Sequence, residues 1–252
     1  EAHFSTIFVG IESPRVSSLK EAGKMQNTRG DLVESVHKIQ AAGIQVMAGM
    51  IVGFDNDDPA IFEEQFRFIQ DARIPISMTG MLNAIPKTPL YTRLEKAGRL
   101  VAESVGDQFV FTNIIPTGMS RLQLYEGYRQ LLSKLYDYGH YRERAMELIL
   151  RRGDLESKLV ARRDDITLAL RILWNCVLRA SPQRAWLTLS MVVETALRRP
   201  AAVRDAMTLA LMHKHLWEYV RDTSAGLDTL IAELRVAPTA GLLPANLEAS
   251  RR

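Results

Sequence analysis

Three short apolar runs, each followed by a segment of helical periodicity, leave this chain few ways to fold. Thr6-Ile7-Phe8-Val9-Gly10-Ile11, the stretch from Gln45 to Gly53, and Ile76 to Leu82 are rich in β-branched and aliphatic residues. Continuous apolar runs of that length read as strands buried on both faces, the pattern of a parallel sheet. Between them lie helix patterns. Leu32, Val33, Val36 and Ile39 recur at helical spacing from about Arg29 to Ala42, and Gly43 stands at the C-terminal position where a left-handed residue ends a helix. A second helix is expected from Ala60 to Ala72, burying Ile61, Phe62, Phe66 and Ile69, and a third from Thr88-Pro89 to about Ala97, closed by Gly98. Strand and helix in alternation give right-handed βαβ units and a parallel sheet.

After a Pro/Gly-containing hinge at Asn113–Gly118 the alternation stops. Met119 to about Leu150 reads as one long helix or two, with a break near Gly139; Ile166–Arg179, Arg184–Arg198 and Ala201–Val220 read as further helices separated by Pro182 and Pro200. The tail beyond Val236 is expected to be loose. The fold class is therefore α/β followed by all-α, with an expected division into residues 1–118 and 119–252.

Charge follows the same division. Residues 1–118 carry 11 basic and 14 acidic side chains, and residues 119–252 carry 21 and 15. A basic helical half is either a solvated surface or a face for an anionic partner. A non-catalytic binding or interaction module with a basic helical surface is thus one functional class; no nucleic acid partner is expected. The single cysteine, Cys176, excludes an intrachain disulfide and any site in this chain that needs two thiolates. No apolar run reaches the ~18 residues of a membrane-spanning helix. The opening Glu-Ala-His-Phe-Ser carries no basic leader. The chain is expected to be cytoplasmic, with peripheral membrane contact as a further expectation, and to be cut from something longer.

Ligands of parallel α/β sheets bind at the C-terminal ends of the strands. Three segments lie there. Glu12 and Ser13 follow the first strand; Glu12 is either a hydrogen-bond acceptor for a ligand amine or hydroxyl, or half of a structural salt bridge. Gly49 and Gly53 flank the second strand, which leads into the acidic turn Asp55–Asp58. That turn could bind a hard cation; capping of the next helix by Asp57 and Asp58 is the favoured reading. Asn83 and Ile85 open the proline-bounded loop after the third strand, which reads as an amide edge for a base or as a plain turn. His213 and His215 are two apart and face different ways on a helix, so no zinc pair is expected. No Ser/His/Asp arrangement and no phosphate loop is present, which leaves phosphate-loop hydrolase and metallohydrolase chemistry without support.

Taken in order, FVGIESP, AAGIQVMAGMIVGFDNDDP and the PKTPLY loop, with ESPRVSSLKEAGKMQNTRGDLVESVHKIQAAGI between the first two, resemble the C-terminal half of a radical S-adenosylmethionine (radical SAM) domain. The nearest branch is the cobalamin-binding one that contains hopanoid methylase-like proteins and carries a helical C-terminal extension. The resemblance covers residues 4 to about 150 and implies the C-terminal half of a partial (β/α)6 barrel followed by that extension. It implies that Glu12 and Ser13 contact the amino or ribose groups of S-adenosylmethionine, that Met50, Ile51, Val52, Gly53 and Phe54 line the adenine, and that Asn83 and Ile85 close the adenine pocket. It implies a [4Fe–4S] cluster and cobalamin in the complete protein, reductive cleavage of S-adenosylmethionine to a deoxyadenosyl radical, and methyl transfer or radical modification of a small, hydrophobic substrate, a lipid-like one among the alternatives. The three clustered cysteines of the family's CxxxCxxC motif have no counterpart here. The cobalamin-binding and cluster-binding region is therefore expected N-terminal to this segment, as a missing partner, and the chain alone is expected to be inactive. Lys87 stands where the wider family usually has glycine, a departure that bears on the backbone of that loop. A different enzyme on a parallel α/β scaffold is the remaining class.

Overall fold

The computed structural model describes residues 4–102, 109–153, 170 and 173–236. Strands β1 (Thr6–Glu12), β2 (Gln45–Val52) and β3 (Ser77–Met81) form one parallel sheet in sequential order. Helix α1 (Val16–Glu21), a 3-10 turn (Met25–Thr28) and α2 (Leu32–Ala41) connect β1 to β2; α3 (Ile61–Asp71) connects β2 to β3; α4 (Pro89–Lys96) follows β3. Local chemistry sets the helix ends. The Asp31 side chain accepts from the Glu34 N–H and Thr88 from the Tyr91 N–H. Gly43, at φ +86°, terminates α2 as its place in the sequence predicts.

Along β2 burial alternates strictly, with Val46, Ala48, Met50 and Val52 buried and Gln45, Met47, Gly49 and Ile51 partly open. The first set faces the helices and their core. The second shares the opposite face with the exposed Phe8 and Met78, where Gly10 lies in register with Gly49. One face of the sheet is thus a packed core and the other is a shallow, largely open surface, in place of the two-sided burial that the apolar runs predict.

The remaining helices are α5 (Arg121–Leu135), α6 (Tyr138–Arg151), α7 (Pro182–Arg198) and α8 (Val203–Val236), with a 3-10 turn at Pro200–Ala202. The break between α5 and α6 falls at Tyr136–Asp137, just before Gly139, because the Asp137 carboxylate accepts from the Gly139 and His140 N–H groups and starts a new helix there. Helix α8 runs well beyond the expected end at Val220: Thr223, Leu227, Leu230, Ile231 and Leu234 continue a buried seam at helical spacing. Leu173–Leu178 forms a π-helical turn instead of a regular α-helix. Most of the rest of the helix expected at Ile166–Arg179, and the tail after Val236, lie outside the described residues.

One apolar core continues across the expected division at 118/119. Its joint is α5. Gly127 in α5 lets that helix press on α3, where a Cβ would lie 2.0 Å from the Phe62 ring. The same helix, with the residue that ends it, occupies the outer edge of β3 with tyrosines. The Tyr136 hydroxyl donates to the Ser77 carbonyl at 2.6 Å and accepts from the Ser77 N–H at 3.2 Å, and the Tyr128 hydroxyl donates to the Thr79 carbonyl at 2.9 Å. Buried ladder groups that would otherwise call for another strand are satisfied by side chains. Among the described residues the outer edge of β1 has no strand beside it.

Candidate functional site

The open end of the sheet is organised around an irregular strand terminus. The β1–β2 register slips between Gly10 and Glu12, a β-bulge, and Glu12 adopts φ +72°. A non-glycine residue in the left-handed region is strained by roughly 1–2 kcal/mol. The bulge re-aims the Glu12 side chain into the strand-end mouth, where its carboxylate meets the Lys24 ammonium at 2.9 Å. Asn27 steadies the terminus, its amide donating to the Gly10 and Ile11 carbonyls.

Glu12, Lys24, Glu21, Ala22, Ile51, Phe54, Leu82 and Leu90 line a pocket of about 280 Å³ there. Its floor is apolar and one wall carries an ion pair. Of the residues singled out from sequence, Glu12, Ile51 and Phe54 meet in this pocket. Met50 and Val52 turn their side chains to the core on the other face, so only their backbones border the site side. Gly53 takes φ +103°, which turns the chain out of β2. Ser13 is buried, and its hydroxyl accepts from the Arg15 N–H at 3.2 Å. Asn83 lies outside the pocket lining and donates to the Phe111 carbonyl at 2.9 Å, while Ile85 is exposed beyond it. Lys24 and Glu21 were not singled out by the sequence reading. The one signal for them is Gly23, whose φ of +70° reverses the chain after α1 and returns Lys24 to the strand end.

The acidic turn after β2 is committed to structure. The buried Asp57 accepts from the Gly53 and Phe54 N–H groups and from the Ser18 hydroxyl, sealing the end of β2 rather than capping α3. Burial pushes its carboxyl up, against the pull of those three donors. Asp58 does serve the helix entry, accepting from the Ala60 N–H, and also pairs with Arg15, whose guanidinium is held more basic than usual chiefly by Glu64. Asp55 lies between Arg99 and Arg93, both at 2.5 Å, and the Arg99 hydrogen bond leads in holding its carboxyl below the ordinary range. Among the described residues no group of three or more His, Cys, Asp or Glu side chains is placed to hold a metal ion.

Lys87 takes φ +69°, so the loop after β3 keeps a glycine-type backbone with a lysine in it. Lys87→Gly relieves that strain, partly offset by the greater freedom of glycine in the unfolded chain. The substitution is expected to stabilise the protein by about 0.5–1 kcal/mol in urea unfolding; a loss of stability would show that the loop relies on the lysine side chain.

The described residues thus form a parallel βαβ sheet with a carboxylate at its strand-end pocket, extended by helices. The chain belongs to the family of the domain of unknown function DUF4070, matched over residues 88–229, which is the C-terminal domain of cobalamin-binding radical SAM proteins. It is 32% identical over 232 residues to the hopanoid C-2 methylase of Rhodopseudomonas palustris, covering 90% of this chain and 43% of that protein. It is also 32% identical over 225 residues to an uncharacterized methyltransferase of Synechocystis sp., covering 87% of this chain and 41% of that one. The chain therefore spans less than half the length of these relatives. No solved structure matches it.

Proposed function

We infer that this chain is the C-terminal part of a radical SAM methyltransferase and that its strand-end pocket receives the nucleoside or amino end of S-adenosylmethionine. The observation that carries the reading is the strained Glu12: a carboxylate held at φ +72° by a bulge, on the rim of an apolar pocket at the ligand-binding end of a parallel sheet. In this reading Glu12 accepts hydrogen bonds from the amino group or the ribose hydroxyls, and Lys24 orients it. Ile51, Phe54, Leu82 and Leu90 provide apolar walls for the adenine. Ser13, Met50, Val52, Gly53, Asn83 and Ile85 lie outside this lining, and in this reading they approach the ligand from beyond it.

The residues of this chain do not fit a [4Fe–4S] cluster, because thiolates hold such clusters and the sequence has one cysteine, the buried Cys176. Cluster and cobalamin are accordingly assigned to a region N-terminal to this segment, and the chain alone is proposed to be inactive. The unpaired edge of β1 supports an addition of strands there, since the β3 edge is already filled by tyrosines. The complete barrel would be the partial (β/α)6 form, of which this sheet is half. The names of the relatives support methyl transfer, and the methylase of R. palustris favours a hopanoid-like, lipid-like acceptor. When bound, S-adenosylmethionine would supply the reductively cleaved bond, with cobalamin assisting the methyl transfer.

In the complete protein, Glu12→Ala is expected to weaken S-adenosylmethionine binding by about 1.5–3 kcal/mol, the range of a charged hydrogen bond. Isothermal calorimetry on parent and variant measures it. Equal affinities would remove Glu12 from the site and the reading with it.

A further inference from the structure

Helix α7 is apolar on two opposite faces. Leu187, Met191 and Thr195 are buried in the seam against α6 and α8. Trp186, Leu189, Val193 and Leu197 recur at helical spacing on the other side and are exposed, Leu197 by 80%. The π-helical turn that packs on α7 adds a second exposed set, Trp174 and Leu178. Two of the three tryptophans of the chain therefore lie open to solvent on neighbouring elements. Single exposed apolar residues need no explanation, but rows at helical spacing do.

The stretch itself is rich in arginine. Residues 173–204 contain five arginines and one carboxylate, Glu194, which pairs with Arg142 and Arg198; Arg184 lies 3.8 Å from Glu218 of α8, and Arg199 donates to the Ile149 and Arg152 carbonyls. Arg179 sits 5.1 Å from the Trp174 ring and Arg142 5.5 Å from the Trp186 ring, so cationic groups border both aromatic side chains. Tryptophan and aliphatic side chains at the level of lipid headgroups, with arginines reaching outward to phosphates, are the make-up of an interfacial helix. No described helix is long and apolar enough to cross a membrane, so such a face lies on the bilayer and does not enter it.

We propose that the outer face of α7, with the Trp174–Leu178 turn, docks on an anionic lipid surface. The choice of lipid over a protein partner rests on charge complementarity: an excess of arginines beside tryptophans suits a surface of like phosphates. The proposal is independent of how the strand-end pocket is used. It also gives the basic helical half a role that its composition left undecided.

The test is flotation of the full-length protein with vesicles of phosphatidylcholine and phosphatidylglycerol in equal parts, and with phosphatidylcholine alone. The protein is expected to float with the mixed vesicles and much less with the neutral ones, to bind more weakly as salt rises, and to be released by alkaline carbonate. Trp186→Ser combined with Leu197→Ser is expected to weaken partition at least about tenfold, because two exposed apolar anchors are lost. Both positions are exposed, and an unchanged circular dichroism spectrum shows that the fold is kept. Failure to bind mixed vesicles, equal binding to neutral ones, or binding that resists carbonate would overturn the proposal. So would a dimer that the double substitution turns into a monomer while flotation is unchanged, since that would assign the face to a second copy of the chain.

Discussion

Arg144→Ala is expected to lower the stability of the protein by about 3–5 kcal/mol. Arg144 projects from α6 and is the largest fully buried side chain among the described residues. Its donors reach the Ile74 carbonyl at 3.0 Å, the Gln70 Oε1 at 3.0 Å and the Pro75 carbonyl at 3.4 Å. All three acceptors are neutral oxygens at the turn that carries the chain from α3 into β3. That turn contains Arg73 at φ +53°, so its shape is strained and relies on outside support. The guanidinium also faces the rings of Tyr136 and Tyr141, at 5.5 and 5.0 Å. Burial lowers its affinity for its proton, yet an arginine starts so far above neutrality that it stays charged. Removing it relieves the desolvation of one cation but strands two or three carbonyl-type acceptors and opens a cavity. Unpaired buried acceptors cost about 1–3 kcal/mol each, which outweighs the relief. Arg144→Lys is expected to recover only part of the loss, because one ammonium cannot span three acceptors set in a fork. Urea unfolding of parent and variants measures both; a loss below about 1 kcal/mol for alanine would show that the turn holds itself.

The contrast between what the sequence discloses and what it conceals follows from the range of the interactions. Strands β1, β2 and β3 and helices α2, α3 and α4 are legible because their signals are local: β-branched runs, apolar residues at helical spacing, Thr88-Pro89 at a helix start, Gly43 and Gly98 as terminators. The strand-end position of Glu12 follows from the same local order. The partners that define its surroundings do not. Lys24 arrives through a chain reversal at Gly23, and Leu90 through the loop after β3. The open face of the sheet was hidden because apolar runs look alike whether one or both sides are covered; in the described structure Phe8 and Met78 remain exposed. Arg144 has no sequence signal at all. Read alone, it belongs to the polar stripe of an amphipathic helix, and only the arrival of the α3–β3 turn makes it a buried anchor. No local signal marks the continuation of α8 past Val220; at Gly226 the missing side chain admits Val110, 3.0 Å from where a Cβ would lie. The metal reading of Asp55–Asp58 gives way for a related reason: the arginines that neutralise the turn come from α4, the segment after it, and the start of α1.

A second large effect is expected from acid. His213 of α8 is buried between Tyr138 and Tyr141, with ring centroids 4.8 and 4.6 Å away. Its Nε2 lies 3.0 Å from the Tyr136 carbonyl and therefore carries the proton that it donates there, which leaves Nδ1 buried without a hydrogen-bond partner. Protonating Nδ1 would place a cation in an apolar site that already holds the Arg144 charge nearby. Burial first, with Arg144 and Arg184 adding to it, lowers its pKa from the ordinary 6.5 to about 4, against the pull of the Tyr136 carbonyl and Asp137. The sign follows from linkage. Between these two values the unfolded chain binds a proton that the folded chain refuses, so stability is full above about pH 6.5 and falls as pH drops toward 4. The loss from this one group is about 2.5 kcal/mol at pH 4.5, a large share of the stability of an ordinary domain. His213→Gln retains an N–H donor for the Tyr136 carbonyl and removes the titration. Urea unfolding at about pH 7 and pH 4.5 is therefore expected to show a smaller acid loss for the variant than for the parent, by about 2 kcal/mol. Equal losses in the two proteins would mean that His213 accepts its proton in the folded state at no special cost, and that acid acts elsewhere in the structure.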